Sequence, residues 1–426
     1  MSRARIARPP ALRYRAARRT DVETLADLGH RAYRVASLEK RREFYTDHPR
    51  FGIKDVRVGE LDGQIVASLV LYPLTAWVRG ARLPFAGVGS VAVSPEHRRR
   101  GVGEALLRAM LRELRQEGRA FSLLYAFRGD YYRRMGWGVI EQVHALACSP
   151  RRLPASDEAR WVRRLMLPDR PAVQALYDRV AERGHFALAR TPEWWNRRLW
   201  TREMDWVVYE GRRRGQIEGY LAYEVDHARG PFALEVEVKE MVAATPEAHR
   251  GLVGYLASLA DQVASVELAA PSDGAWLHTL TTAENLHPGA ALGTYLDTGN
   301  VLNGAMLRLT DVKAALEQFP VAPSARGEVS IEVEDALLPA NARVYRVSAR
   351  EGRLKVAVEP PRAGAARPRS PRLRIGADVL ATVMGGALSP SRAADAGLLD
   401  STNGGAETLE YWFRTRPAFL YPLNGF

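Results

Sequence analysis

Between Val88 and Gly118 the chain changes its hydrophobic period, and that change limits what it can fold into. Val88 to Val93 is β-branched and small, the composition of a strand, and Ser94-Pro95 ends it because proline has no N–H for a continuing ladder. From Val102 the period lengthens. Val102, Leu106, Met110 and Leu114 recur every four residues with Leu107 and Leu111 beside them, which is one face of an amphipathic helix closed by Gly118. Arg98-Arg99-Arg100-Gly101-Val102-Gly103 joins strand to helix. The first turn of such a helix carries N–H groups without intrahelical partners and partial positive charge, so a phosphate is favoured there. Gly101 and Gly103 would let backbone approach a ligand closely. A solvated basic turn fits the bare pattern equally well.

A length of 426 residues corresponds to two to four domains, and 46% hydrophobic residues supply ordinary cores. No apolar run has the length of a membrane span, and the basic N-terminus lacks the apolar stretch of a signal peptide, so a cytoplasmic location is expected. The single cysteine, Cys148, reads as a small buried hydrophobe. A net charge of +12 would permit nucleic-acid or membrane binding. The charge is diffuse, however, with 5 lysines against 56 arginines, and no zinc spacing, recognition helix or stacking-aromatic motif accompanies it. Neither nucleic acid nor membrane is expected as a partner, and no metal site is expected.

The junction resembles the pyrophosphate-binding motif of the GCN5-related N-acetyltransferases, which is Arg or Gln, two residues, Gly, one residue, Gly or Ala. Arg98, Gly101 and Gly103 occupy those places. The resemblance implies that acetyl-CoA is the co-substrate. Val91, Ala92 and Val93 would offer backbone to its pantetheine arm, and Arg99, Arg100, Gly101, Val102, Gly103 and Glu104 would wrap its pyrophosphate, with Phe127 and Arg128 beside them.

Residues 1 to 12 lack periodicity and read as a disordered tail. A helix follows, entered at Thr20 or Asp21 and carrying Leu25, Leu28 and Ala32. Val56 to Leu61 and Gln64 to Tyr72 flank Asp62-Gly63, a two-residue hairpin signal, and Arg79-Gly80 makes a second turn. Phe85 to Val93 and Phe121 to Ala126 are further strands.

Arg128 to Gly138 reads as a short helix ended by glycine, and it resembles the same family's second motif. There a tyrosine four residues before a Gly-aromatic pair faces the sulfur of coenzyme A, which selects Tyr132 by its distance from Gly136-Trp137. Tyr131 is about 100° around a helix from it and points elsewhere. A phenol with a pKa near 10 can protonate a departing thiolate whose acid titrates near 8.5, so Tyr132 is the candidate general acid. A packing aromatic is the alternative.

Residues 151 to 308 repeat the plan weakly. Strands Trp206 to Tyr209, Gln216 to Tyr223 and Leu234 to Val242 precede Thr245-Pro246-Glu247, a helix from Leu252 to Val263 and a strand Val266 to Ala269. The turn here is Ala248-His249-Arg250-Gly251, without the arginine cluster, so this copy is read as degenerate. The aromatic run Trp194 to Trp200 is read as helical packing between domains rather than a ligand cage. His144, His185 and His278 have no metal-ligand spacing.

From Thr310 onward come a helix, Val312 to Phe319, strands Gly327 to Val333, Ala342 to Ser348 and Arg353 to Val358, a Pro/Arg/Ala loop from Pro360 to Arg372, and a helix, Ala377 to Met384. This segment resembles the sterol-carrier-like domain of a subset of acetyltransferases, although its apolar content is no more than a core requires. The expected fold class is therefore mixed α-β (α+β): a catalytic acetyltransferase domain over 1–150, a degenerate copy over 151–308 and a sterol-carrier-like domain over 309–426. Together these resemble the enhanced intracellular survival (Eis-like) family. That resemblance implies acetyl transfer to primary amines, with aminoglycosides or other polyamines as acceptors, protein lysines as the nearest alternative, and a homo-oligomer, a hexamer in the family. A non-catalytic acetyl-CoA sensor or scaffold is the alternative of a different class.

The chain closes on Pro417 to Phe426, more apolar than the polar, frayed ends most chains have. Docking is expected, and Phe426 matches the family's terminal phenylalanine, whose carboxylate reaches the active site. By that resemblance the Phe426 carboxylate is the general base. Its ordinary pKa near 3.5 makes it a poor base, which burial beside an apolar wall would improve; it could attract a cationic acceptor and take a proton, directly or through water, as the nitrogen becomes acidic during attack. The acceptor pocket is expected to draw on Tyr33, Glu39, Phe44 and Tyr45. An acetyl-Cys148 route ranks far lower, since no histidine signature adjoins it.

Overall fold

The computed structural model describes residues 11–35, 37–211, 215–227, 230, 233–274, 276–280, 298–360 and 371–426. Most of the expected N-terminal tail, most of the loop between Pro360 and Arg372, and the His278 side chain lie outside the described residues. Packing divides the chain into two compact units. One holds the chain up to Ile140, Ala305–Thr415 and Phe426, and the other holds Glu141–Gly304 and Arg416–Gly425.

The first unit begins with β1 (Arg13–Ala16), α1 (Val22–Tyr33), α2 (Leu38–Thr46), β2 (Val56–Leu61), β3 (Gln64–Val78) and β4 (Ala81–Val93). It continues with α3 (Val102–Gln116), β5 (Phe121–Tyr125), α4 (Gly129–Arg133) and β6 (Gly138–Val139). Both expected hairpins form. Asp62 and Gly63 take φ of 50° and 80°, and Arg79 and Gly80 take 51° and 83°, the left-handed pairs that match the twist of the flanking strands. Val102, Leu106, Leu107, Met110, Leu111 and Leu114 of α3 are buried in one cluster with Val66, Leu69, Leu71 and Val88 of the sheet. Each such side chain contributes roughly 1.5–3 kcal/mol of transfer free energy.

The second unit contains β7 (Gln142–Cys148), β8 (Val162–Arg164), α5 (Arg170–Glu182), β9 (His185–Leu188), α6 (Pro192–Trp194), β10 (Asp205–Tyr209) and β11 (Gly219–Asp226). After these come β12 (Leu234–Ala243), α7 (Pro246–Ser258), β13 (Val263–Pro271), α8 (Trp276–Thr279) and β14 (Gly299–Asn303). Its seven-stranded sheet runs β14-β7-β13-β12-β11-β10-β8, with β12 and β13 parallel. Trp194 and Trp195 are buried, Trp195 stacks on Trp200 at 5.1 Å, and Trp200 lies 4.8 Å from Trp206. The aromatic run thus packs inside this unit, where a packing role between domains was expected.

The chain then returns to the first unit with β15 (Ala305–Leu309), α9 (Val312–Gln318), β16 (Glu328–Glu334), β17 (Val344–Arg350), β18 (Arg353–Glu359) and β19 (Arg372–Gly376). It ends with α10 (Ala377–Met384), α11 (Pro390–Asp395), β20 (Leu399–Thr402) and α12 (Gly405–Phe413). Strand order in the first sheet is β1-β2-β3-β4-β5-β15-β6, and a separate five-stranded sheet runs β18-β17-β16-β19-β20. Divisions after residues 150 and 308 follow chain order, whereas the sheets exchange strands across them. β7 pairs β13 and β14 in the second unit, and β15 pairs β5 and β6 in the first. A buried ion pair, Arg308 Nη2 to Asp335 Oδ2 at 2.7 Å, ties β15 to the turn after β16.

Candidate active site

β4 breaks its own ladder where the site forms. Ser68 faces Ala92 and Val70 faces Gly89, so Ser90 and Val91 together stand opposite Leu69 in a bulge. Ser90 takes φ of 50°, a left-handed value uncommon for a residue with a Cβ. Arg41 Nη2 steadies it by donating to Ser90 Oγ at 2.5 Å and to the Tyr45 hydroxyl at 3.1 Å. The Tyr33 hydroxyl donates to the Val91 carbonyl at 2.8 Å.

On its other edge β4 pairs with β5 in parallel only at Ala86 with Ser122 and Gly87 with Leu123, so the strands part beyond Gly87. Ser94 N–H donates to Val66 O at 2.8 Å, which makes Ala67 and Val93 a non-hydrogen-bonded pair and turns the Val93 N–H away from β3. That N–H faces the side on which β5 has parted. Ala92 is buried, and Val93 O accepts from Arg98 Nε at 3.2 Å.

The turn into α3 is built from left-handed residues, Arg99 at φ 60° and Gly101, the N-cap, at 79°. Val102 is buried under the helix. A Cβ on Gly103 would stand 2.8 Å from the Tyr131 hydroxyl, so glycine leaves room for that phenol at the helix's first turn. Arg99 and Arg100 are exposed. Arg98 folds back, its Nη2 reaching Ala32 O at 3.3 Å, and Glu104 accepts from Arg108 at 2.7 Å. Phe127 is exposed with its ring 6.3 Å from Tyr132, and Arg128 faces Asp130 at 3.8 Å. The two glycines, the parted strands and the outward arginines fit an extended, amide-bearing ligand that ends in phosphates.

Tyr132 lies in α4, which closes through Gly136 at φ 86°. Its buried ring meets Trp137 and Tyr131 edge-on at 5.8 and 5.1 Å. Burial first, then the Tyr131 and Tyr33 hydroxyls, push Tyr132 above the ordinary phenol value, so it is held protonated. Tyr33 is pushed up to about 12 by burial, with Arg41 opposing.

Phe426 lies on β4 from the chain's far end. A Cβ on Gly87 would meet its ring at 2.9 Å, and one on Gly89 would stand 3.5 Å from its carboxyl carbon. Its ring is 5.6 Å from Tyr72 and 5.3 Å from Tyr125. Three of the four expected acceptor-pocket residues gather around Arg41, whose guanidinium is 5.2 Å from the Tyr33 ring, 4.4 Å from Phe44 and 5.1 Å from Tyr45. Phe44 continues through His48 and Phe51 to Tyr72, completing an aromatic wall that reaches Phe426. Glu39 does not join them. It lies on the exposed face of α2, paired with Arg42 at 2.8 Å. Arg41, Tyr72, Gly89 and Ser90 were missed from the sequence. Only Gly87 and Gly89, glycines inside a strand, carried a signal, that of close backbone approach.

In the second unit the corresponding helix start is filled by its own chain. Thr245 caps α7 through Ala248 N at 3.2 Å, and a Cβ on Gly251 would meet the Tyr209 ring at 2.5 Å. The Tyr209 hydroxyl donates to Glu158 at 2.5 Å. Cys148 sits on β7 opposite Val266, and burial pushes its thiol up, against an activated thiolate. Among the described residues no group of three or more His, Cys, Asp or Glu could hold a metal ion, and no helix is long and apolar enough to cross a membrane.

Residues 13–140 match a family model described as an acetyltransferase (GNAT) domain, residues 187–309 match a second so described, and residues 312–421 match a sterol carrier protein domain. An uncharacterized N-acetyltransferase of Streptomyces avermitilis is 30% identical over 292 residues, 63% of this chain and 66% of that protein. The N-acetyltransferase Eis of Mycobacterium tuberculosis is 28% identical over 284 residues, with coverage of 63% and 66%. The chain thus spans just under two thirds of the length of these relatives. Among solved structures, a GCN5-related N-acetyltransferase from Anabaena variabilis superposes with a TM-score of 0.80 at 19% identity, covering 97% of this chain and 100% of that one. Eis1 from Mycobacterium abscessus gives 0.75 at 24% identity, covering 98% and 100%. These two likenesses speak to the fold. With acetyltransferase (GNAT) domains over 13–140 and 187–309 followed by a sterol-carrier domain, the chain belongs to the GCN5-related N-acetyltransferases, and it is similar to the Eis proteins among them.

Proposed function

We propose that the chain transfers acetyl from acetyl-CoA directly to a primary amine, with no acetyl-enzyme. The observation that carries this reading is the Phe426 carboxyl group lying against Gly89, two residues before Val91 on the strand that leads into the phosphate-binding turn. Val91 to Val93 and Arg98 to Glu104 hold the donor, with Phe127 and Arg128 at its edge. The Val93 N–H polarises the thioester carbonyl. The Phe426 carboxylate draws in the cationic acceptor, whose ammonium first gives one proton to solvent to free the nitrogen lone pair, and takes the second proton the nitrogen loses as the C–N bond forms. Tyr132, kept protonated by burial, gives its proton to the sulfur as the C–S bond breaks. One of the acceptor's two protons goes to solvent and the other to Phe426, while Tyr132 gives one to sulfur, so each turnover releases one net proton and leaves the two groups to be reset by exchange with water.

Polyamine acceptors, aminoglycosides among them, are supported by resemblance to the Eis relatives, with protein lysines next. The same resemblance supports a cytoplasmic homo-oligomer, hexameric in form, that acts on small molecules rather than nucleic acid or membrane. Thiol release from acetyl-CoA with a panel of amines tests the reading, comparing wild type, Tyr132→Phe and a chain extended beyond Phe426. Turnover with at least one amine, lost in both variants, is expected. Unchanged turnover in both removes the acid and base, and tight acetyl-CoA binding without turnover on any amine favours a sensor.

A further inference from the structure

Arg308 is a buried cation of the first unit that the transfer chemistry does not use. It lies on β15 with its side chain fully buried. Nη2 donates to both oxygens of Asp335 at 2.7 Å, and Nη1 donates to Leu309 O at 3.1 Å. Nε is buried and has no hydrogen-bond partner among the described residues. A buried pair of this kind does little for stability against an apolar replacement, because desolvation offsets the attraction. An unpartnered donor adds a further cost. The group is better explained by what it holds in place.

What it holds is the turn behind Tyr132. A Cβ on Gly136 would stand 2.8 Å from Arg308 Cζ and 3.0 Å from both Nε and Nη1. The carbon is nearer than either nitrogen, so the guanidinium meets this turn with its planar face. Trp137, the next residue, is buried with its ring 6.0 Å from Arg308 Cζ and 5.8 Å, edge-on, from the Tyr132 ring. Met135 N–H and Trp137 N–H both donate to Tyr132 O, at 3.0 and 3.2 Å. Arg308 is itself placed by strand register, since its neighbour Leu307 pairs with Gly138 of β6. Asp335 is placed by Leu338 N–H at 2.9 Å and Asn341 Nδ2 at 3.1 Å. The contacts therefore run from Asp335 through Arg308 to Gly136, Trp137 and Tyr132, all within one compact unit.

We propose that Arg308 is the positioning residue for Tyr132, supporting the turn at Gly136-Trp137 that sets where the phenol stands. The inference rests on the reading that Tyr132 is the acid in transfer. A displacement of about an ångström at a reacting group costs on the order of a hundredfold in rate. This support reaches the acid without passing through the turn that would hold the donor's phosphates, so its loss acts on kcat rather than on KM for acetyl-CoA.

The test is a cycle in the full chain: wild type, the paired variant Arg308→Met with Asp335→Ala, Tyr132→Phe, and all three substitutions together, with release of CoA from acetyl-CoA measured against an accepted amine. Removing both partners leaves no lone buried charge. The paired variant is expected to lower kcat by ~tenfold or more, leaving KM for acetyl-CoA within about twofold. In the Tyr132→Phe chain the same pair is expected to change kcat no further, because its effect runs through the phenol. An equal further loss there overturns the inference, as does wild-type kcat in the paired variant. Should the paired variant fold poorly, Arg308→Lys keeps a cation beside Asp335 without the planar face under Gly136. It is expected to show a smaller loss of kcat with the same dependence on Tyr132, and wild-type kcat in it overturns the inference. Wild-type kcat in Tyr132→Phe overturns the underlying reading of the acid, an outcome distinct from a harmless Arg308 change beside a slow Tyr132→Phe.

Discussion

The carboxyl carbon of Phe426 lies so close over Gly89 that a Cβ there would stand 3.5 Å from it, and 2.8 Å from Cε2 of Tyr72. The Tyr72 ring therefore leaves room for a hydrogen atom only at Gly89, while a methyl there would be in ordinary contact with Phe426. Gly89→Ala is expected to displace the Tyr72 ring, on which Phe426 packs. Overpacking of this kind costs about 1–3 kcal/mol, and acetyl transfer should fall further than stability does. Thermal unfolding beside kcat for an accepted amine checks this, and unchanged kcat would remove Gly89 from the site.

Tyr132→Phe deletes one oxygen from a buried ring whose packing on Trp137 and Tyr131 is retained. Loss of a positioned proton donor lowers kcat by ~10²–10⁴-fold. Acetyl-CoA binding, measured by calorimetry, should hold near the wild-type value.

Gly103→Ala sets a methyl group 2.8 Å from the Tyr131 hydroxyl at the first turn of α3. Weaker acetyl-CoA binding with little change in kcat is expected. Adding Tyr131→Phe removes the opposing oxygen, and recovery of affinity in the double variant would attribute the loss to this contact.

The Arg308–Asp335 pair is nearly unexposed on both sides, and Asp335 also accepts from Leu338 N–H at 2.9 Å and Asn341 Nδ2 at 3.1 Å. Asp335→Ala leaves an uncompensated guanidinium and should cost about 3–5 kcal/mol. Arg308→Met with Asp335→Ala should cost less than the sum of the single changes. Urea unfolding of the four proteins measures the coupling.

Features set by neighbours in sequence are legible in the residues themselves. The turn at Asp62-Gly63, the face of α3 and the glycine closing α4 each depend on a few adjacent residues, and each forms where expected. Features set by distant partners are not legible in this way. Nothing local in Ala305–Leu309 says that it pairs with Phe121–Tyr125, or that Gln142–Cys148 pairs with Val263–Pro271, because those choices are made by tertiary burial. Of the candidate-site residues, the glycine motif and Tyr132 are picked out by spacing alone. The bulge at Ser90 is invisible, since serine carries no propensity for φ of 50° and takes it under Arg41 and the register of β3. Glu39 illustrates the reverse error: a polar residue in the right stretch, turned outward by the helix period.

The parting of β4 from β5 beyond Gly87 has a consequence for how the protein should be handled. A strand edge with unmatched N–H and C=O groups is a template for any extended chain that arrives there, including another protein. A ligand that brings amide groups of its own would occupy that edge as a missing strand. If acetyl-CoA fills that edge, its presence during purification is expected to lower self-association, which light scattering with and without it would read.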